Sequence, residues 1–349
     1  MKVVKEVLAE LPMCYAINMI QIDNRSFCIA ASEDRQGKIL LIDCETKAIF
    51  HVAGLAGGVM NIVPIPEENG AFLAIQGFYP IFQSEGAQLV KVNVSLTNAL
   101  TLQAKVQTVI NLPFLHRISL IGSPGQRKVI AATLCQKKAF TDDWSTSGGV
   151  YVVDLPDVPD GNAPHSVLLE GIHKNHGLFN RDTGLDKSVV VTGDEGIFEI
   201  EFHDSLGRVK KLMAGNVSDV YFFDLDGDGK EEMISIAPFH GDQLKLFKQR
   251  VEGWECVAER PLDFGHAVWC GEVGEIVYIV ACSRGGKKET TIYKVISGNG
   301  NDFLLEAVYT DEGVGASNIV VHQENGAMAL YASNHGKNEV ARYFLSETK

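Results

Sequence analysis

One polar position recurs along the chain, and each copy accompanies an apolar stretch that resembles a β-strand. The seven copies are Asn18, Asn61, His116, His176, Asp219, His266 and Asn318. Successive copies are 43 to 60 residues apart, and joining the chain ends gives a similar interval from the last copy to the first. A repeat of roughly 40–50 residues with several short strands is the sequence signature of a β-propeller. The sequence therefore predicts an all-β fold, a seven-bladed β-propeller of four-stranded antiparallel blades.

Turn-forming residues separate the apolar stretches at intervals of about 8–12 residues, and helical periodicity is almost absent. The predicted blades run over about 15–55, 59–110, 114–172, 173–215, from 217, from 264 and from 316. The last of them has strands only near 316–322, 327–333 and 339–345. We therefore expect residues 3–11 to supply its fourth strand and cover the sheet edge, with a short helix as the alternative. No stretch resembles an interdomain linker, so residues 1–349 are predicted to form a single domain.

The composition argues against two classes of partner. The net charge is −13, whereas nucleic acids and anionic membranes attract basic faces. No stretch of about 18 apolar residues is present, and the N-terminus, with Glu6 and Glu10, does not resemble a signal peptide. The seven cysteines contain no CxxC pair, which is typical of reduced thiols packed in strands. We therefore predict a cytoplasmic protein that binds neither nucleic acid nor membrane.

A second recurrent position follows the second strand of each predicted blade. Its seven copies are Glu33, Gly77, Cys135, Asp194, His240, Arg284 and His335. In a four-stranded blade, the connection between the second and third strands returns to the face on which the first strand begins. Both recurrent positions are therefore expected at one mouth of the central channel. The histidines expected around that mouth are His116, His176, His240, His266 and His335.

Several histidines at one mouth suggest a metal site, because imidazoles with a carboxylate suit divalent Zn, Mn, Fe or Ni. The predicted metal ligands are His116, His176, His266 and Asp219. Acid–base chemistry is assigned to the two histidines of the second recurrent position, His240 and His335. The alternative is that all these side chains are structural, since Asn18, Asn61 and Asn318 show that a polar residue is favoured there in any case.

A second cluster of possible ligands lies in the sequence DLDGDGKEE. Its alternating carboxylates are Asp224, Asp226, Asp228 and Glu232. Such a loop can direct several oxygens at Ca²⁺, although no helices flank it as they would in an EF-hand. A structural calcium site is one interpretation, and a solvated acidic hairpin with Asp-Gly turns is the other. The segment joins the first two strands of its blade, so it is expected on the face opposite the histidines.

Aromatic and basic residues are expected around the same mouth as the histidines. Tyr79 and Trp144 are predicted in loops there, and Lys138 and Arg284 supply positive charge. Aromatic faces stack on the C–H surfaces of sugars, and a guanidinium pairs with a carboxylate. We therefore predict a small-molecule sugar or sugar acid as the ligand, with Arg284 or Tyr79 holding substrate charge or assisting the leaving group.

Two sequence resemblances extend this interpretation. The segment DVYFFDLDGDGKEEMISIAPFHGDQLKLFK resembles an FG-GAP or VCBS-type propeller repeat. APFHGDQLKLF, followed by FGHAVWCGEV and VACSRGG, is similar to the propeller domain of aldos-2-ulose dehydratases, which dehydrate oxidised sugars such as 1,5-anhydrofructose. The resemblance supports His240, His266 and Arg284 as functional positions, and it implies carbon–oxygen lyase chemistry.

The resulting hypothesis is a metal-dependent lyase or dehydratase that acts by β-elimination on a keto sugar or an acidic sugar. In this hypothesis the metal stabilises the enolate, and His240 or His335 removes the α-proton. One alternative is a non-catalytic propeller that binds a sugar or a protein. Another is a metal-dependent sugar isomerase or epimerase.

Overall fold

A computed structural model describes residues 2–97, 101–182, 187–203, 206–297, 303–324 and 327–346. Across these residues the chain forms 28 β-strands and one short 3₁₀ helix, His335–Lys337. The strands make seven four-stranded sheets, six of which follow chain order. The predicted fold class, a seven-bladed β-propeller of four-stranded antiparallel blades, is confirmed.

The first three blades each use four consecutive strands. Blade one contains β2 (Cys14–Ile22), β3 (Arg25–Ser32), β4 (Ile39–Asp43) and β5 (Ile49–His51). Blade two contains β6 (Ile62–Pro64), β7 (Ala71–Gln76), β8 (Gln88–Thr97) and β9 (Thr101–Asn111). Blade three contains β10 (Leu115–Ile121), β11 (Lys128–Thr133), β12 (Gly148–Asp154) and β13 (His165–Ile172). These bounds agree with the repeats expected from the sequence.

The next three blades repeat the same order. Blade four contains β14 (Leu178–Asp182), β15 (Lys187–Gly193), β16 (Gly196–His203) and β17 (Leu206–Met213). Blade five contains β18 (Asp219–Phe223), β19 (Glu232–Ala237), β20 (Gln243–Arg250) and β21 (Gly253–Pro261). Blade six contains β22 (Gly265–Val273), β23 (Ile276–Ser283), β24 (Thr290–Ser297) and β25 (Phe303–Asp311).

The seventh blade joins the two ends of the chain. Its strands are β26 (Ala316–Glu324), β27 (Ala327–Asn334), β28 (Glu339–Ser346) and the N-terminal strand β1 (Lys2–Glu10). The sheet order is β1-β28-β27-β26, so the N-terminal segment is a strand and the alternative helix is wrong. Arg342 on β28 helps to hold it, because its guanidinium donates to Glu6 at 2.6 Å and to Glu324 at 2.9 Å.

By internal contacts the chain comprises two compact units. The C-terminal unit contains His176–Lys337 with Met1–Glu6 and Arg342–Lys349, and the N-terminal unit contains Val7–Asn175 with Asn338–Ala341. The described residues contain no helix long and apolar enough to cross a membrane.

Within each unit, apolar side chains of adjacent blades pack against one another. In the N-terminal unit, Phe27 of blade one and Phe72 of blade two are fully buried in one cluster. In the C-terminal unit, Ile234 of blade five and Ile279 of blade six share another. Burial of each such side chain stabilises the fold by about 1.5–3 kcal/mol. This packing fixes the strand ends from which the candidate site is built.

The first recurrent polar position links neighbouring blades. Asn18 donates through Nδ2 to the carbonyl of Ile62 at 2.8 Å, and the Oδ1 atom of Asn61 accepts from the amide of Ile118 at 3.0 Å. Each bond runs from one blade to the next within the N-terminal unit. A polar residue at this position therefore has a structural use, independent of any catalytic one.

Candidate functional site

Three histidines converge in the C-terminal unit, and we call them the histidine cluster: His176, His240 and His266. His176 lies two residues before β14, His240 lies in the connection between β19 and β20, and His266 is the second residue of β22. One ligand atom from each of the three lies within 4.8 Å of the others. Blades four, five and six thus contribute one imidazole each.

The connection after β19 bends sharply, and this places His240 in the cluster. His240 has a φ of 47°, in the left-handed region. The next residue is Gly241, where a Cβ atom would lie 2.2 Å from the backbone carbon of Ala237. Only glycine fits so close an approach, so glycine is required directly after His240 in this turn.

The rings within the histidine cluster are in direct contact. The Nε2 atoms of His176 and His240 are 3.3 Å apart. The rings of His240 and His266 are stacked, with centroids 5.2 Å apart and planes 20° apart. The His176 ring lies nearly perpendicular to both, with centroid distances of 4.8 Å and 5.7 Å. Three imidazole nitrogens therefore surround a small common volume.

Two members of the cluster are oriented by acceptors on the next blade. His176 Nδ1 lies 3.0 Å from Asp219 Oδ2, and His266 Nδ1 lies 2.7 Å from the carbonyl oxygen of Ser317. Because a carboxylate and a carbonyl only accept, each Nδ1 carries a proton, and in the neutral imidazole Nε2 then presents a lone pair. Metal-binding histidines are commonly oriented in this way.

Arg284 adds a positive charge to the cluster. It follows β23, and its Nη1 atom lies 3.4 Å from His266 Nε2. Its backbone amide donates to the carbonyl of Phe264 at 2.9 Å, which fixes the start of the side chain. The guanidinium therefore donates to the same lone pair that a metal ion would use.

Two phenylalanines flank His240. The Phe239 ring is stacked on the His240 ring at 4.0 Å, and the Phe264 ring lies 4.5 Å from it at an angle of 30°. Phe264 is 40% exposed, whereas His176 and His266 are almost fully buried. Both phenylalanines are site residues that sequence reasoning missed. The sequence signal was their position, since one directly precedes His240 and the other lies two residues before His266.

Two of the predicted site residues lie in the N-terminal unit. His116 was predicted as a metal ligand. Its Nε2 atom lies 3.5 Å from the hydroxyl oxygen of Tyr15, and its ring packs edge-on against the ring of Phe78. Tyr79 is 41% exposed, with the guanidinium of Arg35 6.0 Å from its ring centroid. The three-histidine group found among the described residues does not include His116.

Lys138 and Trp144, both predicted near the channel mouth, lie in the connection between β11 and β12 and contact Phe82 of the connection between β7 and β8. Lys138 Nζ lies 3.1 Å from the centroid of the Trp144 ring, and the Phe82 ring meets the Trp144 ring edge-on at 5.5 Å. Burial lowers the pKa of Lys138, more than its acidic neighbours raise it. Trp144 therefore already stacks with a cation of its own chain.

His335 lies in the C-terminal unit at the start of the 3₁₀ helix, half-buried, directly after β27. His335 thus directly follows the second strand counted from β26, as expected for a member of the second recurrent position. It is not a member of the histidine cluster found among the described residues. Its assignment to acid–base chemistry stays a prediction.

The acidic loop of blade five brings its carboxylates together around a lysine. Asp224, Asp226 and Glu232 form a group with metal-like spacing. Lys248 Nζ pairs with Asp226, lies 3.2 Å from Asp228 and lies 3.5 Å from Glu232. The bond to Asp226 chiefly raises the pKa of Lys248, and burial raises the pKa of Glu232. An ammonium group thus stands among the predicted calcium ligands.

The fold and the histidine cluster define the class of protein, a seven-bladed β-propeller with a His₃ group in its C-terminal unit. No protein-family model matches the chain, and no curated protein matches its sequence. The resemblance to FG-GAP or VCBS repeats and to aldos-2-ulose dehydratases therefore stays a prediction.

Solved structures do resemble it. One is the β-propeller domain of Cps50 (Swd1) from Myceliophteria thermophila, with a TM-score of 0.60 and 12% identity, covering 98% of this chain and 100% of that one. Another is a putative 6-phosphogluconolactonase from Bacteroides uniformis, with a TM-score of 0.54 and 14% identity, covering 95% of this chain and 94% of that one. At such low identity these similarities support the fold alone.

Proposed function

We propose that this propeller is a metal-dependent carbon–oxygen lyase that acts on a keto sugar or an acidic sugar. The observation that carries the proposal is the convergence of His176, His240 and His266 within 4.8 Å. Imidazole donors suit divalent Zn, Mn, Fe or Ni, and three of them leave coordination positions for substrate oxygen. The lyase reaction itself comes from the sequence resemblance around His240, His266 and Arg284.

The proposed ligand set differs from the sequence prediction at two positions. His240 replaces His116, because His240 Nε2 faces His176 Nε2 at 3.3 Å. Asp219 becomes the partner that orients His176, because its Oδ2 atom already accepts from Nδ1 at 3.0 Å. A metal held here would polarise a carbonyl or carboxylate oxygen of the sugar and stabilise negative charge as the α-proton leaves.

The protein's own residues would carry the rest of the β-elimination. A base takes the α-proton, the electrons of that C–H bond form the carbon–carbon double bond, and the β-carbon–oxygen bond breaks with protonation of the departing oxygen. With His240 in the ligand set, the role of base passes to His335. Arg284 would hold the negative charge of the substrate, and Tyr79, which lies in the N-terminal unit, has no role in this proposal.

Elemental analysis of the purified protein, after incubation with Zn²⁺, Mn²⁺ or Ni²⁺ and dialysis, tests the metal site. We expect about one ion per chain in the wild type, and almost none in the double variant His176→Ala/His266→Ala. The matched control is His165→Ala, which removes an exposed histidine on β13 and should keep the ion. If the wild type retains no metal ion after dialysis, the metal site is refuted and the three histidines have a structural role only.

Activity then separates the enzymatic alternatives. Keto sugars and uronides are incubated with the loaded protein, and the ultraviolet absorbance of an unsaturated product is followed. Absorbance that depends on His176 and His266 supports the lyase. An isomerase or epimerase would convert the sugar without that absorbance. Stoichiometric sugar binding without any conversion would instead identify a non-catalytic binding propeller.

A further inference from the structure

Four lysine and arginine residues of the described part of the chain are buried, namely Lys91, Arg117, Arg127 and Arg342. Three of them pair with a carboxylate of the chain. Lys91 and Arg127 pair with Glu68 at 2.8 Å and 2.6 Å, and Arg342 pairs with Glu6 at 2.6 Å. Because a buried charge is costly unless it is paired, such pairing is the expected arrangement.

The exception is Arg117, which lies on β10 and is 6% exposed. Its Nη1 atom donates to the carbonyl oxygen of Met60 at 3.3 Å, which is longer than the usual N–H···O distance of about 2.9–3.0 Å. Its guanidinium carbon lies 5.9 Å from the centroid of the Tyr15 ring. Among the described residues, no carboxylate pairs with Arg117. The chain therefore leaves this one buried cation without a counter-charge.

The surroundings of Arg117 strengthen its attraction for an anion and leave its donors accessible. Tyr15 and Met60, the two residues it contacts, belong to one apolar cluster of the N-terminal unit and are 3% and 2% exposed. A charge in such apolar surroundings attracts its counter-charge more strongly than it would in water. In the described part of the chain, no nitrogen of the Arg117 side chain is among the fully enclosed atoms that lack a hydrogen-bond partner. Its remaining donors therefore keep contact with solvent, from which a small ligand can reach them.

We infer that Arg117 is the centre of an anion-binding site in the N-terminal unit, and that its ligand is the carboxylate group of a small organic acid. A carboxylate matches the planar fork of one guanidinium with two parallel hydrogen bonds. It also cancels a single positive charge, whereas a phosphate group carries about −1.5 to −2 at neutral pH and would bury excess negative charge. The site contains no residue of the histidine cluster, so it lies outside the proposed function and can be tested separately from it.

Thermal unfolding with acetate as the probe tests the site. The buffer is Tris chloride, and chloride is replaced stepwise by acetate or by inorganic phosphate at a fixed total concentration of anions. Saturation-transfer NMR on the acetate methyl group measures binding to the folded protein directly. The proteins are the wild type, Arg117→Met, Arg117→Lys and Arg127→Met. Arg127 is the matched control, because it is a cation of similar burial that already pairs with Glu68.

In the wild type we expect saturation transfer to acetate, and a thermal midpoint that rises by about 2 °C when acetate reaches about ten times its dissociation constant. Arg117→Met should lose both effects. Arg117→Lys should keep a weaker response, because an ammonium group retains the charge but not the planar fork. Arg127→Met should start from a lower midpoint, because Glu68 loses a partner, yet it should respond to acetate as the wild type does.

Equal responses to acetate in the wild type and Arg117→Met would overturn the site, because the effect would then come from the salt and not from Arg117. Absence of both effects in the wild type would overturn it without the use of any variant. A response to phosphate but not to acetate would contradict the carboxylate assignment. If Arg117→Met does not fold, the comparison passes to Arg117→Lys, where a response as strong as that of the wild type would overturn the role of the guanidinium. None of these results depends on metal binding by the histidine cluster.

Discussion

His176 and His240 face each other through their Nε2 atoms, which lie 3.3 Å apart. His176 Nδ1 is committed to Asp219, so His176 Nε2 presents a lone pair toward His240. A second lone pair at that distance would repel the first. The pair is stable when His240 Nε2 carries a proton that it donates to His176, or when a metal ion takes the place of that proton. The same contact between His176 and His240 can therefore exist without a metal ion, joined by a proton, and with a metal ion bound between the two nitrogens.

The first prediction concerns which histidines bind the metal. His240→Ala should lose most of the bound metal, because it removes one of three converging donors. His116→Ala should keep it, because His116 contacts Tyr15 and Phe78 and is not a member of the cluster. Elemental analysis of both variants beside the wild type gives the answer. Loss of metal in His116→Ala with retention in His240→Ala would restore the ligand set expected from the sequence.

The second prediction concerns Asp219. Asp219→Asn keeps the three imidazoles but replaces the charged acceptor of His176 Nδ1. Loss of such a hydrogen-bond partner behind a metal-binding histidine weakens metal affinity by about 10–100-fold. The measurement is Zn²⁺ competition with a chelator. The control is Asp154→Asn, which alters an exposed carboxylate paired with Lys128. Unchanged affinity in Asp219→Asn would mean that Asp219 does not support a ligand.

The fold could be predicted from the sequence because its determinants are local and repeated. Short apolar strands, turn residues and one polar position recur seven times, and Asn18 and Asn61 show why that position persists, since both bond to the next blade. The N-terminal strand followed from counting, because the last repeat lacked one strand. Each of these inferences needs only chain order and strand alternation.

The site was predictable only in part. The two recurrent positions indicated the strand ends and connections that carry His176, His240 and His266, but they could not show which side chains converge. That depends on the left-handed turn at His240, on the close approach at Gly241 and on the hydrogen bond that commits Asp219 to His176. The first two are details of local backbone geometry, and the third joins two side chains 43 residues apart. A pattern of residue types contains none of them.

The third prediction concerns the acidic loop of blade five. Lys248 already supplies positive charge to Asp226, Asp228 and Glu232, so Ca²⁺ should change the thermal midpoint of the wild type little. Lys248→Ala should lower stability, because it leaves the buried Glu232 without its cation, at a cost of roughly 3–5 kcal/mol for such broken pairs.

Added Ca²⁺ should restore part of the stability lost in Lys248→Ala, since the remaining carboxylates have suitable spacing. The measurement is the thermal midpoint with and without Ca²⁺. Lys245→Ala on the same strand is the control, and it should show no calcium response. A large calcium-dependent shift in the wild type would instead favour the structural calcium site expected from the sequence.

The last prediction concerns pH and Asp43 at the end of β4. Burial alone raises the pKa of this carboxyl group, but the amides of Thr46 and Glu45 and the charge of Arg25 outweigh it, and the net pKa lies below its ordinary value of 3.8. The amide distances are 2.7 Å and 2.9 Å. A carboxyl group with a lowered folded-state pKa contributes stability above its unfolded pKa, and that contribution is lost as the pH falls through the folded value.

Asp43→Asn should therefore lower the free energy of unfolding by about 1–3 kcal/mol at neutral pH, since it removes the charged partner of Arg25 and weakens the turn. The difference from the wild type should shrink as the pH falls below about 4, where the unfolded carboxyl group takes up its proton. Urea unfolding across this range measures it. Asp154→Asn, whose carboxylate is 54% exposed, is the control and should show a small difference at every pH. A gap between Asp43→Asn and the wild type that stays constant down to acid pH would show that the charge of Asp43 does not stabilise the turn.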